Sequence, residues 1–74
     1  MKLPAVSGEK VIKALGKAGF VYIRQKGSHI RLEKTVDDEI IKVTVPLHKT
    51  LKKGTLKRII KDSRLSQDEL IDLL

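Results

Sequence analysis

Imidazole is the only side chain in this sequence that exchanges protons readily near neutral pH, because the chain has two histidines and no cysteine. One of them, His29, follows a glycine and a serine within the stretch RQKGSHIRL, residues 24–32. The cations around it are Arg24, Lys26 and Arg31. An imidazole among cations can donate to a phosphate or move a proton during RNA cleavage. The alternative is an ordinary surface histidine.

Cleavage of RNA through its own 2′-hydroxyl needs a base, an acid and cations that stabilise the charged transition state, and in principle no metal. One histidine and several Lys or Arg side chains form a minimal set for that reaction. On residue types alone, His29 is a candidate either for proton transfer or for contact with a phosphate.

The residues beside His29 have simpler interpretations as well as functional ones. Gly27 most simply supplies a positive φ angle in a turn, although it could also let a sugar-phosphate backbone approach closely. Ser28 could orient His29 or a phosphate, but small polar residues are ordinary in turns. His48 shares the strand parity of Lys42 and could join His29 in a site if the two strand ends meet; a surface loop histidine is the favoured interpretation.

A second basic segment, Lys52-Lys53-Gly54-Thr55, leads into a predicted helix. Free backbone N–H groups at a helix N-terminus attract phosphate, whereas Thr55 could simply cap the helix on a solvated basic loop. The candidate RNA-binding residues are Arg24, Lys26, Gly27, Ser28, Arg31, Lys42, His48, Lys52 and Lys53.

Other chemistry has little support in the residues. Two distant histidines without cysteine do not make a zinc site, and the acidic run at 37–39 lacks the spacing of a metal-binding loop. No phosphate-binding glycine motif or serine nucleophile pattern is present. We therefore expect neither a metal nor a cofactor.

Three helices are expected to position these residues. The first runs from Ser7 to about Ala18, with Ser7 as its cap. Its apolar stripe comprises Val11, Ile12, Leu15 and Ala18. A second helix starts at Thr55, and a third starts at Ser66, where Glu69 three residues later completes a capping box.

Strands are predicted at residues 20–26, 29–35 and 40–47, with turns at Gly27-Ser28 and at 36–39. The third strand alternates Ile41, Val43, Val45 and Leu47 with Lys42, Thr44 and Pro46, so the first four should face the core of a half-buried strand. In the second strand, Ile30 and Leu32 form the apolar side. Successive side chains alternate, so His29 and Arg31 should lie on the other face.

This element order predicts an α+β two-layer sandwich resembling a double-stranded-RNA-binding domain. A three-stranded antiparallel sheet would carry helices on one face, in the order α-β-β-β-α with a short C-terminal helix added. The open face would be left to residues such as Arg31 and Lys42. The length of 74 residues predicts a single domain over residues 1–74.

Charge favours a polyanionic partner. The net charge is +7, and every Lys and Arg precedes residue 65. A small basic body attracts nucleic acid through Coulomb steering and counterion release, which we favour over a merely well-hydrated surface. No apolar run is long enough for a signal peptide core or a membrane span, so we expect a soluble, cytoplasmic protein that does not bind membranes.

Several motifs occur together in a specific combination. The segments RQKGSHIRL and VTVPLHKTLKKGTLKRIIKDSRLS closely resemble the HicA family of toxins from toxin–antitoxin systems. Phe20 stands where many relatives carry tryptophan, and the tail beyond Leu65 varies; neither departure touches the proposed site.

The resemblance implies a double-stranded-RNA-binding-like fold and an mRNA interferase that cleaves transcripts and arrests growth within a type II toxin–antitoxin system. It implies that His29, the histidine of the GSH motif, is catalytic. It also implies a HicB-type antitoxin partner that covers the active site.

Three functions of different classes are consistent with these residues. The first is a metal-independent endoribonuclease in which His29 is the general acid or base. The second is a basic RNA-binding module without chemistry, and the third is an interaction subunit whose basic face pairs with an acidic partner. Incubation of the protein with mRNA in EDTA separates the first from the second.

Overall fold

The computed structural model describes residues 3–74. Its elements, in chain order, are α1 Gly8–Lys17, β1 Val21–Lys26, β2 His29–Val36, β3 Glu39–Pro46, α2 Lys53–Ser63 and α3 Gln67–Leu73. The strands form one antiparallel sheet in the order β1-β2-β3. The predicted α+β fold, with its α-β-β-β-α order and additional C-terminal helix, is confirmed.

The core lies between one face of the sheet and the helices. Inward-facing residues of β2 and β3 alternate with polar ones, and they pack against the apolar stripes of the three helices in one buried cluster. Its members from the sheet are Ile30, Leu32, Ile41, Val43 and Val45, and those from the helices are Val11, Ala14, Leu15, Leu56, Ile59 and Leu70. This packing leaves the opposite face of the sheet open.

Helix α1 begins where the sequence predicts, since the Ser7 side chain accepts from the Lys10 backbone N–H at 3.2 Å. At its other end Gly19 has a φ of 101° and turns the chain toward β1. Lys34 of β2 reaches this end, and its ammonium donates to the Ala18 carbonyl at 2.7 Å. A cation of the sheet thus closes the C-terminus of α1.

The end of β3 differs from the prediction. Leu47 was expected to continue the inward alternation, but it is 40% exposed, and Pro46 is buried instead. Proline has no N–H to donate to a ladder, so the strand ends there and the alternation stops with it. The Leu47 N–H instead donates to the Ser28 carbonyl at 2.6 Å.

The start of α2 also differs. The predicted start at Thr55 is wrong: the helix begins at Lys53, and Lys52 is its N-cap without a side-chain cap. Thr55, which the sequence offered as a possible cap, therefore lies inside the helix. Leu51 is buried, and its N–H donates to the Val6 carbonyl at 2.8 Å. Because the chain is anchored immediately before Lys52, helical geometry starts two residues earlier than residue types suggest.

Helix α3 follows the prediction closely. The Ser66 hydroxyl accepts from the Glu69 N–H at 3.1 Å, and the Glu69 carboxylate accepts from the Ser66 N–H at 3.0 Å. Leu70 is buried against the core. No helix in residues 3–74 has the length and apolar character needed to cross a bilayer.

Strand β1 is the uncovered edge of the sheet. All six of its residues are exposed, and the pairing with β2 shifts register between Tyr22 and Arg24. Val21, Tyr22 and Ile23 are 60%, 54% and 46% exposed. The strand is therefore held mainly by its ladder to β2 and not by helix packing.

Candidate active site

His29 is the first residue of β2 and lies opposite Pro46 of β3. The neighbours Ile30 and Leu32 are 3% and 1% exposed on the core side. Alternation along the strand therefore places His29 and Arg31 on the open face, as the sequence predicts. The exposed imidazole of His29 makes no hydrogen bond or ion pair with any described residue.

The turn before His29 is held by hydrogen bonds on both sides. Gly27 has a φ of 60°, in the left-handed region, and a Cβ atom there would meet nothing within 4 Å. Its carbonyl accepts from the Gln25 side chain at 2.8 Å, and the Ser28 carbonyl accepts from Leu47. The backbone thus supports the turn interpretation of Gly27, and the turn is tied directly to the end of β3.

His48 lies two residues beyond the end of β3, in a segment fixed by the N-terminus of α1. The Gly8 N–H donates to the His48 carbonyl at 2.9 Å, and Gly8 itself is buried. Three residues further, Leu51 is bonded to Val6. Backbone contacts therefore hold the position of His48 although it follows the last strand residue.

A concave surface of about 550 Å³ opens between the open sheet face and one side of α2. We call it the concave face. Four residues singled out from the sequence line it: His29, Arg31, Lys42 and His48. The sequence favoured an isolated position for His48 in a surface loop. In the structure His48 instead borders the same surface as His29.

Helix α2 supplies the other wall of the concave face. Thr55, Arg58, Ile59 and Asp62 line it, together with Thr44 and Pro46 of β3. Sequence reasoning named Thr55 only as part of the basic segment before α2, and it missed the other five residues as site residues. Positions 55, 58 and 62 recur at helical spacing, which groups them on one side of α2. That spacing cannot reveal that this side borders the open sheet face.

Charge on the concave face is mostly positive. Arg31 lies 3.8 Å from Glu33 of the same strand, and Arg58 lies 3.8 Å from Asp62 one helical turn on. Lys42 has no ion pair or hydrogen bond with the residues that the structure describes. Three lining cations face a single lining carboxylate, a balance that attracts phosphate.

Strand β1 extends this basic surface. Arg24 pairs with Arg31 across the ladder, and Lys26 pairs with His29. Neither lines the concave face itself. Both are exposed, and cross-strand neighbours share a face, so they flank the surface at the edge of the sheet.

The remaining predicted residues lie outside the concave face. Gly27 and Ser28 form the turn that precedes His29, and Lys52 and Lys53 form the exposed start of α2. The first turn of α2 contains no acidic residue. Among residues 3–74, no group of three or more His, Cys, Asp or Glu side chains could hold a metal ion.

Comparison with known protein families matches residues 8–65 to the HicA toxin of bacterial toxin–antitoxin systems. The chain belongs to the HicA toxin family. The matched region runs from the start of α1 to just beyond α2, so it contains the whole concave face, and α3 lies outside it. The resemblance seen in the sequence is confirmed.

Membership of the HicA family makes this chain the toxin type of component in a two-part system. Such a component has an antitoxin partner. No curated protein matches the chain.

Proposed function

We propose that this HicA-family chain is an endoribonuclease that cleaves mRNA, with His29 as a proton-transfer group. The observation that carries this proposal is the concave face, where His29 lies with Arg31, Lys42 and Arg58. An unpaired imidazole beside several cations is the combination that phosphodiester cleavage by a ribose 2′-hydroxyl requires.

The reaction needs only groups present on this surface. A base takes the proton of the 2′-hydroxyl, and the 2′-oxygen bonds to the adjacent phosphorus. The bond from phosphorus to the 5′-oxygen breaks, and that oxygen receives a proton from an acid. The products are a 2′,3′-cyclic phosphate and a free 5′-hydroxyl, so atoms and charge balance without a redox partner.

The cations have separate tasks in this proposal. Lys42 is available to hold a phosphate oxygen, because no described group engages its ammonium. Arg31 keeps donors free beyond its 3.8 Å contact with Glu33, since a guanidinium carries five N–H groups. Arg24 and Lys26, both at the β1 edge of the sheet, would contact phosphates next to the one that is cut.

We further propose that the antitoxin partner is of the HicB type and covers the concave face. A partner that presents carboxylates there would compete with RNA for the same cations. This competition predicts that the antitoxin blocks RNA binding as well as cleavage, and that the complex weakens as salt rises.

The test is cleavage of an mRNA by His29→Ala, with EDTA present throughout. We expect the cleavage rate to fall at least about 100-fold, the lower range for loss of a general acid or base. RNA binding and the circular dichroism spectrum should remain close to those of the unchanged chain. Thr35→Ala is the matched control, since Thr35 is exposed on the same strand and does not line the concave face.

Two results would contradict the proposal in different ways. Cleavage by His29→Ala at the original rate would remove His29 from the chemistry. Intact RNA after long incubation with the unchanged chain, despite salt-sensitive binding, would favour the alternative function of a non-catalytic RNA-binding module.

A further inference from the structure

Proton transfer to and from RNA takes two groups, and His29 supplies one. We propose that His48 is the second proton-transfer group of the same reaction. This inference rests on the proposed ribonuclease activity and adds to it the identity of the other catalytic residue.

His29 and His48 lie close together in the fold. His29 pairs with Pro46 across the ladder, and His48 is two residues beyond Pro46. Antiparallel partners and two extended residues together keep the Cα atoms of His29 and His48 within about 13 Å. Both side chains line the concave face, which is where the proposed reaction places the phosphate.

Backbone hydrogen bonds fix the position of His48. Its carbonyl accepts from Gly8, and the N–H of the preceding Leu47 donates to Ser28, which itself precedes His29. The two histidine-bearing segments are thus joined by a direct hydrogen bond. An acid and a base that act on opposite oxygens of one phosphorus need such a fixed separation.

Besides His29, four charged groups line the concave face together with His48. From the sheet these are Arg31 and Lys42, and from α2 they are Arg58 and Asp62. Guanidinium groups do not release protons in proteins, and the Asp62 carboxylate is engaged by Arg58 at 3.8 Å.

On its other side His48 borders a small depression with Glu9 and Lys49. Glu9 lies 3.8 Å from Lys13, one turn along α1. A lysine ammonium holds its proton well above neutral pH. Imidazole therefore remains the side chain on this surface best suited to give or take a proton near neutrality.

In the resulting step the two histidines have opposite tasks. One neutral imidazole accepts the proton of the 2′-hydroxyl as the 2′-oxygen bonds to phosphorus. The other, as imidazolium, donates a proton to the departing 5′-oxygen as its bond to phosphorus breaks. The rate should consequently pass through a maximum with pH, because one histidine must be neutral and the other charged.

The experiment compares His29→Ala and His48→Ala on two substrates, a natural RNA and an RNA with sulfur in place of the 5′-oxygen at one linkage. A thiolate leaves without a proton, so loss of the acid is tolerated on the sulfur substrate. We expect the cleavage rate of both variants on natural RNA to fall at least about 100-fold. On the sulfur substrate, only the variant that lacks the acid should cleave at a rate within about tenfold of that of the unchanged chain.

Controls keep the test independent of folding. Lys49→Ala changes the exposed neighbour of His48 that does not line the concave face, and it should cleave both substrates normally. His48→Gln keeps a polar side chain of similar length and should fail as His48→Ala does. Unchanged urea midpoints would show that the His48 backbone contacts persist in both variants.

The outcomes separate this inference from the proposal on which it rests. If His48→Ala cleaves natural RNA within about threefold of the unchanged chain while His29→Ala does not, the ribonuclease proposal stands and the role of His48 is wrong. Impairment of both variants on both substrates also overturns the paired roles. If the unchanged chain cleaves neither substrate, both proposals fall.

Discussion

Gly8 and Pro46 are in such close contact that a Cβ atom on Gly8 would lie 1.9 Å from the Pro46 carbonyl oxygen. The approach lets the Gly8 N–H reach the His48 carbonyl at 2.9 Å. The first residue of α1 thereby sets where the chain runs after β3. A helix remote from the chemistry in sequence thus helps to position the concave face.

We expect Gly8→Ala to be destabilising by about 2 kcal/mol, because the added methyl group meets backbone atoms that cannot rotate away. RNA cleavage should fall with it, since the His48 segment must move. Urea denaturation and cleavage rates measure the two effects. Gly16→Ala in the same helix is the control: a Cβ there meets nothing within 4 Å, and the change should stabilise by about 0.5 kcal/mol. Equal stabilities of the two variants would refute the close-contact argument.

Lys34 is a cation whose role we expect to be structural. Its ammonium donates to the Ala18 carbonyl at 2.7 Å and lies 5.8 Å from the centre of the Phe20 ring. Lys34→Met should lower the free energy of unfolding by about 1–2 kcal/mol, because the carbonyl loses its partner at a half-buried position. Lys42→Met, on the open face, should change it by less than about 0.5 kcal/mol. If Lys34→Met and Lys42→Met have the same urea midpoint, the Lys34 contact does not contribute to stability.

Lys42 should contribute one phosphate contact to RNA binding, and the salt dependence of the affinity measures that contact. In the His29→Ala background, which keeps RNA intact, Lys42→Ala should reduce the slope of log affinity against log salt by about 0.7, the value for one phosphate contact on a single strand. Lys57→Ala removes an exposed lysine of α2 that does not line the concave face, and it should leave the slope almost unchanged. Identical slopes for the two variants would place the phosphate elsewhere.

Glu39 and Arg64 make stability depend on pH. The Arg64 guanidinium donates to both carboxylate oxygens of Glu39, and these hydrogen bonds, followed by its positive charge, hold the pKa of Glu39 below the ordinary value of 4.5. A lowered pKa stabilises the fold at pH values above 4.5, and the contribution is lost as pH falls through the lowered pKa. Glu39→Gln should therefore be less stable than the unchanged chain at pH 7, with the difference shrinking in acid.

Urea midpoints at pH 7 and pH 3 measure the Glu39 effect. Asp38→Asn is the control, because Asp38 occupies the same turn and has no ion pair among the residues described. The contribution should also decrease in high salt, since both side chains are largely exposed. A difference between Glu39→Gln and the unchanged chain that does not vary with pH would contradict the role assigned to the carboxylate.

Local rules account for what the sequence predicts well. The sheet face on which His29 and Arg31 lie follows from their alternation with Ile30 and Leu32. This alternation depends only on neighbours in one strand. The capping box of Ser66 and Glu69 is equally local. Such features need no knowledge of how elements pack.

Tertiary packing decides what the sequence does not show. Arg58 and Asp62 border the concave face only because α2 packs along β3, and nothing in their spacing states which side of the helix meets the sheet. The early start of α2 likewise follows from the contact of Leu51 with Val6. The register shift in β1 leaves Ile23 without a cross-strand partner, which strand patterning cannot foresee.

The uncovered edge of β1 has a consequence for how this protein behaves at high concentration. Its three exposed apolar residues adjoin an unpaired row of backbone donors and acceptors, a surface that another copy of the strand could extend. Arg24 and Lys26 place positive charge on the same strand, so two copies repel each other when they approach. Colloidal stability thus depends on electrostatic repulsion, and we expect concentrated salt to promote self-association before it unfolds the chain.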